Sequence, residues 1–178
     1  MKLHIGCGGK FLQGWKHVDI MRWEHIDYVT NVRDLSFLEN DSVEEIYACH
    51  VFEHFKRSEI EDVLAEWSRV LYSGGRLRLA VPDFAAIVAE YLQNWNLSAV
   101  LGLLYGGQNY AYNFHYHIYD FDSMRELLGK AGFVDIHEYD WREFLPADGY
   151  DDYSRAYLPH MDFENGRLMS LNVLATKA

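Results

Sequence analysis

The sequence is poor in cysteine and short of basic residues. It has two cysteines, Cys7 and Cys49, and neither their number nor their spacing makes a disulfide framework or a zinc motif. Both are expected to stay reduced. No apolar run approaches the roughly 18 residues needed to span a bilayer, and Met1–Ile5 leads straight into glycines without a signal-type apolar stretch. A cytoplasmic protein is the expectation. Sixteen bases face 27 acids, a formal charge of −11. That balance argues against nucleic-acid phosphates and against acidic membrane surfaces as partners. Small molecules or a basic protein remain as partners. There are no internal repeats, low-complexity tracts or linkers, and 178 residues suit one domain, 1–178, with a real core.

What is present is an alternation of strand and helix signals. Lys2–Ile5 reads as a buried strand ending in the turn Gly6-Cys7-Gly8-Gly9. His17–Ile20, Tyr28–Thr30 and Val43–Cys49 read as three further strands. Ile60, Val63, Leu64, Trp67, Val70 and Leu71 fall on one face of a helix. Ser58 and Glu61 have capping-box spacing, and Ser73-Gly74-Gly75 is the expected stop. Gly75–Val81 alternates as a strand up to Pro82. Asp83 is placed to cap the next helix, through Trp95. Leu97–Tyr105 reads equally as helix or lid. A helix over Asp122–Ala131 and two strands, Phe133–Trp141 and Leu168–Thr176, complete the pattern. Asp148–Asp152 is a polar, acidic loop. The expected class is α/β with a mostly parallel sheet. No long helical pattern separates the last two strands, so the final strand is free to insert antiparallel.

Three features form a candidate site. The glycine loop lets backbone approach a ligand at a strand's carboxyl end. Asp19, ending the second strand, can accept from both hydroxyls of a ribose, or simply cap a loop. Asp34, after the third strand, can accept from an adenine amino group, or serve as a turn residue. In this order along adjacent strand ends the three make an adenosine-binding arrangement.

Leu3–Gly9, Asp19, Asp34, the His50-Val51-Phe52-Glu53-His54 stretch, Arg69–Gly75, Val81-Pro82-Asp83 and Leu127–Phe133 together resemble class I S-adenosylmethionine-dependent methyltransferases. The resemblance is nearest to the ubiquinone and menaquinone biosynthesis methyltransferases and their small bacterial relatives, and it runs over about residues 2–136. It implies a Rossmann-like sheet in the order 3-2-1-4-5-7-6, with the last strand antiparallel. It also implies that Gly6, Cys7 and Gly8 cradle the methionine part of the cofactor and that Asp19 holds the ribose. Asp34 and the Leu35 backbone would read the adenine, and His50 would line the methyl-transfer cleft.

Two departures stand out. The family carries an acid two residues before the first glycine, where this chain has His4. The step from Gly8 to Asp19 is too short for the helix that normally crosses between parallel strands, and the next two links are short as well. Helices are therefore reduced in the N-terminal half. Parallel sheets are normally covered on both faces, so a second copy in a homodimer, or the aromatic-rich middle segment, is expected to cover this part.

That segment, Tyr105–Phe121, is dense in tyrosine, with His115 and His117 inside it. It reads as part of a substrate lid over about 97–121, suited to a sugar ring or planar acceptor, or as a packing segment. His115 and His117 are the candidate bases. Glu53 and His54 read as orienting the loop after the fourth strand. A set of His115, His117, Asp120 and His160 lacks metal-ligand spacing, and no metal is expected. The leading expectation is methyl transfer from S-adenosylmethionine to a small-molecule or sugar-type acceptor. A catalytically inactive binding or partner protein on the same fold is the alternative. A nicotinamide enzyme and a metal hydrolase are weaker rivals.

Overall fold

The computed structural model describes residues 1–146 and 150–178. The expected acidic loop 148–152 therefore lies partly outside the described residues. Among the described residues, nine strands and four α-helices run in the order β1 (Lys2–Ile5), β2 (Lys16–Asp19), β3 (Tyr28–Val29), β4 (Val43–Cys49), α1 (Ile60–Val70), β5 (Leu71–Pro82), α2 (Phe84–Asn94), α3 (Leu97–Tyr105), α4 (Phe121–Lys130), β6 (Phe133–Glu138), β7 (Tyr157–Leu158), β8 (Arg167–Leu168) and β9 (Ser170–Lys177). β7 and β8 form a separate two-stranded sheet. The other seven strands form one sheet in the order β3-β2-β1-β4-β5-β9-β6. β3 through β5 are parallel, and β9 enters antiparallel between β5 and β6. With β9 as the seventh strand of the main sheet, this is the expected α/β Rossmann-like order.

Strand alternation gives the sheet two unlike faces. Leu3, Ile5, Ile46, Ala48, Leu77, Leu79, Leu171 and Val173 point to an apolar face. α1 and α4 cover it with Ile60, Val63, Leu64 and Trp67 and with Met124 and Leu128. The opposite face carries His4, His17, Glu45, Tyr47, Arg78 and Asn172, all buried. His4, Tyr47 and Arg78 are cross-strand neighbours in register.

No helix among the described residues links β1 to β2, β2 to β3 or β3 to β4, as the short spacings require. The β1–β2 link is instead a run of turns. Lys10 N–H donates to Cys7 O, Trp15 N–H to Leu12 O, and Leu12 N–H to the His17 ring at 2.9 Å. Within the chain, side chains from outside the 97–121 segment pack on the second face of the sheet. Trp15, Tyr139 and Phe144 cover it, with Tyr47 edge-on to Phe144 and Arg78 lying over both Tyr139 and Phe144. The Tyr47 hydroxyl donates to buried Asp152 at 2.6 Å.

Three boundaries differ from expectation. α1 is not started by Ser58: Glu59 precedes it, and its carboxylate accepts from Lys56 N–H instead of forming a capping box. Ser73-Gly74-Gly75 does not end α1, because the chain is already extended from Leu71. Gly74 (φ +83°) sits where the β4–β5 register shifts. β6 stops at Glu138, because Asp140 accepts from Arg142 N–H and turns the chain into a short 3₁₀ segment. Asp83 caps α2 as expected, and Leu97–Tyr105 is helical.

Candidate cofactor-binding site

Parallel strands deliver their carboxyl ends to one edge, where ligands of open α/β sheets bind. Here that edge holds a cavity of about 500 Å³. β1 contributes Gly6 and Gly8, β2 contributes Asp19, and β4 contributes His50. Gly6 has φ +61°, and a Cβ there would strike the Val51 side chain. Its N–H donates to Val18 O at 2.7 Å, so the loop turns over the end of β2. Asp19 is buried, and its two oxygens hold the neighbouring loops. Oδ2 accepts from Gly8 N–H at 2.8 Å and Oδ1 from Met21 N–H at 2.7 Å.

The other residues named from sequence are distributed unevenly. Cys7 is buried beneath the loop, and burial with the nearby Asp19 charge pushes its thiol up to about 12. Only its backbone position between Gly6 and Gly8 relates it to the cavity. Asp34 and Leu35 do not line it. Asp34 is exposed and accepts from Ser36 N–H. Leu35 is fully buried, with its N–H on Glu66 Oε1. Asn31, Val32 and Arg33 occupy the cavity wall after β3 instead. His4 points into the second face, stacked on Tyr47, and leaves no acid at that position of the loop.

Neither candidate base lines the cavity. His117 stacks flat on Tyr119 at 4.4 Å, and His115 Nδ1–H donates to Leu103 O at 2.8 Å. The imidazoles on the wall are His50 and His54. The aromatic segment does reach the site, since Tyr110, Tyr112 and Tyr116 line the cavity.

From sequence, Glu53 had only a loop-orienting role. It is fully buried in the turn after β4, ringed by His50, His54 and His115. Burial would raise its carboxyl, but these three rings more than offset that and hold it below its ordinary value. His50 has φ +52°, an uncommon conformation for a residue with a side chain. His115 lies 65 positions from His50, so no local spacing could have announced this cluster.

Comparison with known proteins fits this geometry. Residues 10–79 match the family model described as a methyltransferase domain. That span includes Asp19, Asp34 and His50 and stops short of the aromatic segment. The chain is built on the class I methyltransferase fold. A SAM-dependent methyltransferase from Archaeoglobus fulgidus superimposes with TM-score 0.60 at 14% identity, over 99% of this chain and 85% of that one. The 1,6-didemethyltoxoflavin-N1-methyltransferase of Burkholderia thailandensis, solved with 1,6-didemethyltoxoflavin and S-adenosylhomocysteine, gives TM-score 0.60 at 17% identity, over 99% and 70%. A Haloferax volcanii chain solved in complex with the Trm112 methyltransferase activator gives TM-score 0.56 at 14% identity, over 98% and 80%. None of these three is described as a ubiquinone or menaquinone biosynthesis enzyme. Comparison with curated proteins found no sequence match. Among the described residues, no helix of this methyltransferase fold is long and apolar enough to cross a membrane.

Proposed function

We propose that this chain is an S-adenosylmethionine-dependent methyltransferase acting on a small-molecule or sugar-type acceptor. One observation carries the reading: Asp19 clamps the Gly6–Gly8 loop at the mouth of a cavity of about 500 Å³, a size within the range of small-molecule sites. The residues present fit an adenosyl cofactor. Gly6 leaves backbone bare where a Cβ has no room, the Asp19 carboxylate faces the cavity for a ribose diol, and Ile20, Trp23 and Val32 offer an apolar wall for adenine.

The bound cofactor supplies a methyl group already activated by its sulfonium. The chain's own part is to align the acceptor and exclude water. Tyr110, Tyr112 and Tyr116 form the wall that receives the acceptor, and their ring faces favour a cation nearby. His50 and His54 are the imidazoles that face the acceptor space, in preference to His115 and His117.

Calorimetry with S-adenosylmethionine and S-adenosylhomocysteine tests the reading. Both are expected to bind wild type, and Asp19→Ala is expected to abolish binding. A wild type that binds neither overturns it. The inactive-partner reading is favoured by one observation, His4 in place of the family acid. It is distinguished by cofactor binding without turnover on any acceptor of a sugar and phenol panel.

A further inference from the structure

We propose that Glu53, His54 and His115 form a binding site for a divalent transition-metal ion, directly beneath the cavity wall. One donor atom from each residue lies within 4.8 Å of the others. An ion bound at about 2 Å by nitrogen and carboxylate oxygen holds its ligand atoms about 3–4 Å apart. His115 Nε2 stands 3.9 Å from Glu53 Oε1, too far for a hydrogen bond and close to that span.

The protonation of the rings follows from their outer partners. His54 Nδ1 lies 3.0 Å from Phe114 O, and His115 Nδ1 lies 2.8 Å from Leu103 O. A carbonyl only accepts, so both Nδ1 atoms carry hydrogen. In the neutral rings both Nε2 atoms are then bare lone pairs. This is the tautomer and the backbone-carbonyl support that metal-bound histidines use. Glu53 is wholly buried, and neither of its oxygens has a hydrogen-bond partner. The His115 Nε2 lone pair faces this orphaned carboxylate, and His54 offers a donor atom within 4.8 Å of both.

His50 completes the picture without resolving it. Its Nε2 faces Ser170 Oγ at 3.4 Å, and Ser170 Oγ donates to Asn172 Oδ1. Asn172 Nδ2 donates in turn to Ser154 O. Ser170 therefore only accepts from His50, whose Nε2 carries hydrogen and whose Nδ1 faces Glu53 Oε1 at 3.2 Å. Even a doubly protonated His50 leaves Oε2 and the two Nε2 atoms without a partner. A cation satisfies all of them. Two imidazoles and one carboxylate favour zinc, cobalt, iron or manganese over magnesium or calcium.

Three protein donors leave coordination room for an oxygen from the cavity side. Resting on the methyltransferase reading, the ion would select acceptors that offer a hydroxyl or carboxylate oxygen.

The test is titration of chelator-stripped protein, without cofactor, with Zn²⁺, Co²⁺ and Mn²⁺, read by calorimetry and by the visible spectrum of Co²⁺. One equivalent per chain is expected. His54→Gln and His115→Gln are each expected to weaken it at least about tenfold while circular dichroism stays that of wild type. Glu53→Gln, nearly isosteric, is a third variant should either histidine change disturb the fold. Failure of all three ions to bind saturably overturns the site, as does unchanged affinity in the folded variants. Asp19→Ala is expected to keep the metal equivalent while losing S-adenosylmethionine, so failure of the cofactor reading and failure of the metal site give different results.

Discussion

Val51 fills the space into which a side chain at Gly6 would project, so the turn after β4 dictates glycine at the end of β1. Gly6→Ala meets both this contact and the left-handed backbone, which costs about 1–2 kcal/mol by itself. Gly6→Ala is expected to lower stability and to close the cofactor loop. Adding Val51→Ala should restore the space and leave the backbone penalty. Urea unfolding of the two singles and the double measures the split: a double mutant no more stable than Gly6→Ala would mean that the contact is relieved in another way.

Asp19→Asn is a finer probe than removing the side chain. Gly8 N–H and Met21 N–H converge on its two oxygens, and an amide offers only one. One N–H then faces an NH₂ group, at a cost of about 1–3 kcal/mol. Affinity for S-adenosylhomocysteine is expected to fall by about tenfold or more, seen by calorimetry on a protein that still folds. An affinity equal to wild type would show that the clamp does not shape the site.

Acid should weaken the fold through His4. Burial, then His17 and His25, lower its pKa from 6.5 to about 3. Between those values the unfolded chain binds a proton that the native chain does not. Stability is therefore complete above about pH 6.5 and falls as the pH drops, by about 1.4 kcal/mol per unit from this group. His4→Phe keeps a ring against Tyr47 and removes the titration. Denaturation at pH 7 and pH 4.5 should show a loss about 2–3 kcal/mol smaller in the variant. His17, His115 and His117 are shifted the same way and account for a remaining slope.

Glu45 anchors the cations of the second face. It is buried and accepts from Arg78 Nε at 3.1 Å and from Arg76 at 2.8 Å. Glu45→Ala leaves the buried Arg78 guanidinium between Tyr139 and Phe144 without its carboxylate. Breaking one side of a buried pair costs about 3–5 kcal/mol. A drop of that order in unfolding free energy is expected. A Glu45→Ala, Arg78→Met double mutant should recover part of it.

The strands and long helices were legible because apolar residues recur at strand and helix periods, as in Val43–Cys49 and Ile60–Val70. The glycine loop and Asp19 were legible because each ends a strand at the same edge. Asp34 and Leu35 misled, because nothing local shows that Glu66, 31 residues away, draws the Leu35 backbone onto α1 and turns the chain inward. The cover of the second face was hidden for a similar reason. Trp15, Tyr139 and Phe144 are scattered in sequence and meet only around Tyr47 and Arg78. Glu53 read only as orienting the loop with His54, because nothing local shows that the fold brings His115 to it.

The antiparallel insertion of β9 sets an order of assembly. Among the described residues β6 pairs with no strand but β9, so the α4–β6 unit cannot join the sheet until β9 is in place. β9 must also find β5 across about a hundred residues, a pairing with a high closure entropy and a slow search. A chain still emerging from the ribosome can form the glycine loop and its Asp19 clamp early, but Ser170, which fixes the His50 ring, arrives on β9. The glycine-loop side and the His50 side of the cavity are thus completed far apart in synthesis, and a nascent chain lacks a finished pocket until β9 has emerged.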